Sequence, residues 1–142
     1  MVFRTAYRVT GNAADAEDVL QTVFLRLARR DPGMENPESY LRRAAVNAAL
    51  DLVRARREPA DVELDRFAAK PQHEQGELRE NLRRALASLP EKAGEMFALR
   101  FLEGMSNPEV AKAMGLSRIH VAVTLHRTRK KLQQILTETH SR

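Results

Sequence analysis

The chain has 142 residues, 43% of them hydrophobic and 30% charged, with 24 Lys and Arg against 19 Asp and Glu for a net charge of +5. This fits one ordinary globular domain or two small ones and excludes fibrous, collagen-like and low-complexity classes. The absence of cysteine excludes disulfides, a thiolate nucleophile and a zinc–thiolate site, and four scattered histidines form no metal cluster, so no metal, cofactor or catalytic residue is expected. The longest mostly apolar stretch, AAVNAALDLV, falls short of the roughly 20 residues that span a bilayer, so no membrane insertion is expected. The start, MVFRTAYRVTG, lacks the apolar core of an export signal, and the expected compartment is the cytoplasm.

Charge divides the chain. Residues 1–57 hold ten basic and seven acidic side chains, 58–80 hold three and seven, and 81–142 hold eleven and five. The acidic middle also carries Pro59, Pro71 and Gly76 with no sustained apolar period, which predicts a linker over 58–77 between lobes at 1–57 and 78–142. Each lobe is small enough that a partner would help stabilise it.

Apolar residues recur at three and four rather than at two, and aromatics are only 5%, so the fold class is all-α. After the break at Thr10-Gly11-Asn12, Asn12 caps a helix with an acidic first turn (Asp15, Glu17, Asp18). Ala16, Leu20, Val23, Phe24 and Leu27 form its expected core stripe. Asp18, Gln21, Thr22 and Leu25 share the opposite face, which is either a solvated surface with one stray leucine or a seat for a partner helix.

Asn36 with Pro37 opens the next helix, expected over about 37–57, with Leu41, Ala45, Ala48 and Leu52 inward. Arg43, Asn47, Asp51 and Arg54 lie on another side. Residues 40–57 hold five arginines (Arg42, Arg43, Arg54, Arg56, Arg57) against one acid, a face suited either to solvent or to phosphates, whose neutralisation releases counterions.

In the second lobe Ser88-Leu89-Pro90-Glu91 and Ser106-Asn107-Pro108-Glu109 both have the S-x-x-E form of a reciprocal helix cap. The first is expected to open a helix with Met96, Phe97, Leu99 and Phe101, stopped near Gly104, and the second a short helix with Val110, Ala111 and Met114 inward. Gly115 suits a left-handed turn, Leu116 plugs the core, and Ser117 caps a final helix from 118 to about 136. That spacing is the pattern of a DNA-binding helix-turn-helix. Along the last helix Val121, Leu125, Thr128 and Leu132 face inward, leaving Ile119, Val123, His126, Arg127 and Lys130 outward. Arg118, Arg127, Arg129, Lys130 and Lys131 meet no acid before Glu138, so a DNA major groove is the natural counterpart.

With these residues in place the chain resembles an extracytoplasmic-function (ECF, group IV) sigma factor of bacterial RNA polymerase. AYRVTGNAADAEDVLQTVFLRLARR and SYLRRAAVNAALDLVRARR resemble that family's region 2, while ALASLPEKAGEMFALRFLEGMSNPEVAKAMGLS and LHRTRKKL resemble region 4. The resemblance implies core polymerase as partner, its clamp helices gripped through Asp18, Gln21, Thr22 and Leu25. It implies promoter DNA as second partner, with minus-10 contacts from Tyr40, Arg43, Asn47, Arg54, Arg56 and Arg57 and minus-35 contacts from Arg118, Ile119, His120, Val123, His126, Arg127 and Lys130. An anti-sigma factor covering the polymerase-facing surfaces is implied as a third.

The chain departs from the family in several places. The first helix of region 2 is expected to be short, no tryptophan occurs, the 31–38 loop is acidic, and Ala122, Val123 and Thr124 replace the family's common Lys, Ser and Arg. Gly94 falls inside a helix where the family commonly has a charged residue, at a cost of about 1 kcal/mol relative to Ala. A LuxR-type regulator binding duplex operators as a dimer shares the SN-x-E-[IV]-A helix start. A sigma-like module that titrates polymerase or an anti-sigma factor without initiating is a further alternative. No enzyme constellation stands out.

Overall fold

The computed structural model describes residues 1–29, 36–56 and 74–140, and every regular element among them is helical. The first lobe is three packed helices: α1 (Val2–Thr10), α2 (Ala13–Ala28) and α3 (Pro37–Ala55). In α1, Val2, Thr5, Ala6, Val9 and Thr10 line one buried stripe. Gly11 stops the helix at φ 69°, a left-handed conformation that glycine adopts without a Cβ penalty, and its N–H bonds the Tyr7 carbonyl. The predicted caps of α2 and α3 form, Asn12 accepting from the Asp15 amide and Asn36 from the Ser39 amide, both at 3.2 Å.

The buried stripe of α2 is turned relative to its sequence pattern. Ala16, Val19 and Val23 are buried, Leu20 and Leu27 are half-buried, and Phe24 is 52% exposed rather than in the core. Because α1 and α3 both close on the Val19 side, the inward direction passes between two valines and leaves the larger ring outside.

The second lobe contains α4 (Glu74–Ser88), α5 (Glu91–Phe97) continued by one π-helical turn (Ala98–Leu102), α6 (Asn107–Met114) and α7 (Arg118–His140). Helix α4 thus begins inside the segment expected as linker, while 57–73 lies outside the described residues. Helix α7 packs against α4, α5 and α6. Gly115 at φ 67° closes α6 in a Schellman motif, the Leu116 N–H reaching the Ala111 carbonyl at 2.9 Å, and Ser117 then caps α7 by accepting from the His120 amide. The helix-turn-helix expected from Val110, Ala111, Gly115, Leu116 and Val121 is therefore formed.

Of the two expected capping boxes, one exists. The Ser106 hydroxyl accepts from the Glu109 amide at 3.2 Å and the Glu109 carboxylate from the Ser106 amide at 3.0 Å, bonds that hold the Glu109 pKa below its ordinary value. Ser88 instead donates to the Ala85 carbonyl of the preceding helix, and α5 starts from Pro90 with no side-chain cap. The proline fixes the chain direction there and leaves Ser88 in the last turn of α4. The π-turn, with its Glu103 N–H to Ala98 carbonyl bond, rotates Phe101 outward to 42% exposure, where it contacts Phe97 and lies beneath the guanidinium groups of Arg100 and Arg129.

The buried apolar residues of both lobes form one cluster, because α3 packs against α4, α5 and α6 as well as against α1 and α2. Ala45, Val46, Ala48, Ala49 and Leu50 are consequently all buried, a wider band than the single stripe expected from spacing. Ser106→Ala should cost about 1 kcal/mol of unfolding free energy. Ser88→Ala should cost clearly less, and equal losses in urea denaturation would contradict this assignment of the caps.

Candidate polymerase and nucleic-acid interfaces

Three surfaces carry the residues singled out in the sequence. On α2, Asp18, Gln21 and Leu25 are exposed and Thr22 is half-buried. Leu25 is 66% exposed, and Phe24 flanks it. Two large apolar side chains thus stand beside polar ones on this face, where the sequence pattern pointed to a single leucine. Phe24 was missed because its spacing from Ala16 and Leu20 fits a core stripe equally well.

On α7, Arg118, Ile119, His120, Val123, His126, Arg127 and Lys130 are all exposed, while Val121, Leu125, Thr128 and Leu132 face inward. Ile119 is 77% exposed. The Thr128 hydroxyl bonds the Thr124 carbonyl at 2.7 Å, which lets a polar residue sit in the buried stripe. The outward face thus sets the apolar tips of Ile119 and Val123 between Arg118 at the helix start and Arg127 and Lys130 further along. Such a mixture suits contact with both base edges and phosphates.

The α3 residues do not form one free face. Arg43 donates through Nε to Glu95 at 2.7 Å, through Nη2 to the same carboxylate at 3.3 Å, and through Nη1 to the Ala113 carbonyl at 3.0 Å. The bond to Glu95 raises the Arg43 pKa, against the opposing effect of burial. Asn47 donates to Glu95 at 3.0 Å. Arg54 bonds Asp51 at 3.4 Å, and its Nη2 is buried beside Gly94 with no acceptor among the described residues. Tyr40 is half-buried near the start of α3. Arg57, and the loop residues 31–35, lie outside the described residues.

Arg56, about half exposed, pairs with Asp15. Asp15 is almost wholly buried at the start of α2, so this contact ties the C-terminal end of α3 to the N-terminal turn of α2. The sequence placed both residues in charged runs and gave no sign that they meet across 41 positions.

Residues 1–58 match the family model for Sigma-70 region 2, and residues 79–132 match that for Sigma-70 region 4. The chain is 35% identical to the ECF RNA polymerase sigma factor SigE of Mycolicibacterium smegmatis across 96% of its own length, and 33% identical to the RNA polymerase sigma-E factor of Streptomyces avermitilis across 95%. It spans 58% of the first relative and 78% of the second. This chain belongs to the ECF sigma factors.

Among solved structures, the sigma factor RpoE crystallised with the anti-sigma factor NepR from Bartonella quintana shares the fold, with a TM-score of 0.58 at 19% identity, covering 96% of this chain and 89% of that one. Sigma factors direct core RNA polymerase to promoters, so the family membership joins this chain to transcription initiation. Two sigma-region matches in this order support that reading over the LuxR-type alternative, which shared only a helix start. Among the described residues no acidic or histidine cluster is arranged to hold a metal, and no helix is long and apolar enough to cross a membrane.

The Arg56–Asp15 contact separates a structural role from a DNA role. Arg56→Ala should lower the urea midpoint of the chain by the equivalent of about 1 to 2 kcal/mol, less than a fully buried pair because Arg56 is half-exposed. An unchanged midpoint would return Arg56 to the surface cations.

Proposed function

We propose that this sigma factor binds the clamp helices of core RNA polymerase through Asp18, Gln21, Thr22 and Leu25, with Phe24 extending the apolar part of that face. The second lobe reads the minus-35 element through α7: Ile119 and Val123 meet thymine methyl groups, Arg118, His120 and His126 reach groove edges, and Arg127 and Lys130 take phosphates. Helix α3 serves the minus-10 element through Tyr40, Arg43, Asn47 and Arg54, with Arg57 of the following segment as a further cation for it and Arg56 holding the helix in position.

The observation that carries this reading is the α7 face. Its residues all stay exposed while Val121, Leu125, Thr128 and Leu132 on the opposite side are buried, which leaves one side of the helix open to a groove.

No covalent step is assigned to the chain, and its workplace is the cytoplasm, where polymerase and DNA are found. Opening of the duplex draws on differential binding to the unpaired strand, each captured base contributing about 1 to 3 kcal/mol where it stacks or fits a pocket. An anti-sigma factor that covers the α2 face and the lobe surfaces would hold the chain inactive.

Reconstitution with core polymerase and genome-wide run-off transcription tests the whole proposal. Defined transcripts are expected from the wild type, and Leu25→Asp should lose polymerase capture while keeping its helical circular-dichroism signal. A complex that forms but starts no transcript would favour the titrating module. For the minus-35 contact, Arg127→Ala and Lys130→Ala should each flatten the salt dependence of promoter binding by a slope of about one. Two unchanged slopes would remove these residues from the phosphates.

A further inference from the structure

Helix α1 turns Val2, Thr5, Ala6 and Val9 into the first lobe, which leaves Phe3, Arg4, Tyr7 and Arg8 on its outer side. These four side chains line one shallow hollow. Phe3 is 38% and Tyr7 48% exposed, and their rings stack with centroids 6.3 Å apart and planes 21° from parallel. The chain has only five Phe and two Tyr, so a stacked pair left in water is a patch rather than a scattered apolar residue. The i, i+4 spacing sets the rings side by side, and Arg4 and Arg8 repeat it one position on.

Charge narrows what can cover this face. Arg4 is exposed, and Arg8 donates to Glu103 at 2.6 Å while about half of its side chain stays in solvent. Two cations against one buried carboxylate leave the hollow positive. An occupant must therefore bring both flat apolar groups and negative charge. An unpaired nucleic-acid strand has that composition, with bases for the rings and phosphates for the guanidinium groups. Duplex DNA does not, since its base faces are already stacked on one another. The face also adjoins α3, because Glu103 lies 3.5 Å from Arg42 Nε while holding Arg8, so that one carboxylate joins the two helices. Nothing has to move for a strand to reach these side chains, which are open with both lobes packed together.

We propose that the outer face of α1 is a stacking platform for single-stranded DNA, where Phe3 and Tyr7 take bases and Arg4 and Arg8 take the adjoining phosphates. It holds bases of the opened promoter strand beside those that α3 reads, and in that placement it rests on the reading of α3 as the minus-10 helix. Stacking tolerates any sequence, because every base has a π-face. The platform therefore adds affinity for an open strand without adding to promoter choice.

The test uses the full chain and fluorescence anisotropy with two fluorescein-labelled strands of equal length, oligo-thymidylate and an abasic strand carrying the same phosphates. The wild type should prefer oligo-thymidylate. Phe3→Ala and Tyr7→Ala should each weaken that binding about fivefold or more and leave the abasic strand unaffected, with an unchanged helical circular-dichroism signal. Tyr7→Phe should keep the preference. Arg4→Ala should weaken both strands and flatten their salt dependence by a slope of about 0.7. Tyr40→Ala and Asn47→Ala report on α3 separately. Loss in these two with both ring variants unchanged would overturn the platform and leave the minus-10 reading in place, whereas loss in the ring variants alone would sustain the platform and remove α3 from the strand. Equal affinity of the wild type for the two strands, or binding to neither, would overturn the stacking outright. So would loss of polymerase capture by Phe3→Ala and Tyr7→Ala with DNA binding unchanged, which would make α1 a seat for protein.

Discussion

Helix α3 has to be buried on two sides at once, and its small side chains make that possible. Ala45, Ala48 and Ala49 let α1, α2 and the second lobe approach the same helix closely, while Val46 and Leu50 fill what remains. A larger residue at any alanine would push one neighbour away. The stretch AAVNAAL is therefore the common centre of both lobes, and Asn47 is its one strongly polar member. Its amide is satisfied by a carboxylate that comes from outside the first lobe, as a half-buried polar group at a packed surface requires.

Polar contacts of the same type recur around this centre. Asp15 meets Arg56 within the first lobe, whereas Glu95 and Glu103 reach across to Arg43, Arg8 and Arg42. In each case the acid is buried and the arginine is partly exposed. That asymmetry places the desolvation cost on the carboxylate and keeps the long cationic side chains at the rim, where they exchange partners at little cost. The same chemistry thus fixes α2 on α3 and ties the second lobe to the first.

The helices and most of their ends were legible in the sequence, since they depend on neighbours three or four residues apart. Asn12, Asn36, Ser106, Gly115 and Ser117 all act as local signals. Ser88 misled because the S-x-x-E pattern is only a possibility that competes with the carbonyls of the preceding turn, and here Ala85 is the nearer acceptor. Phe24 misled because periodicity gives a direction without saying which helix lies in that direction. The α7 face was legible because its cations and its apolar stripe occupy opposite sides of one long helix. The partners of Arg43, Asn47 and Arg56 were not legible at all, since they are joined over 41 to 52 positions by packing alone.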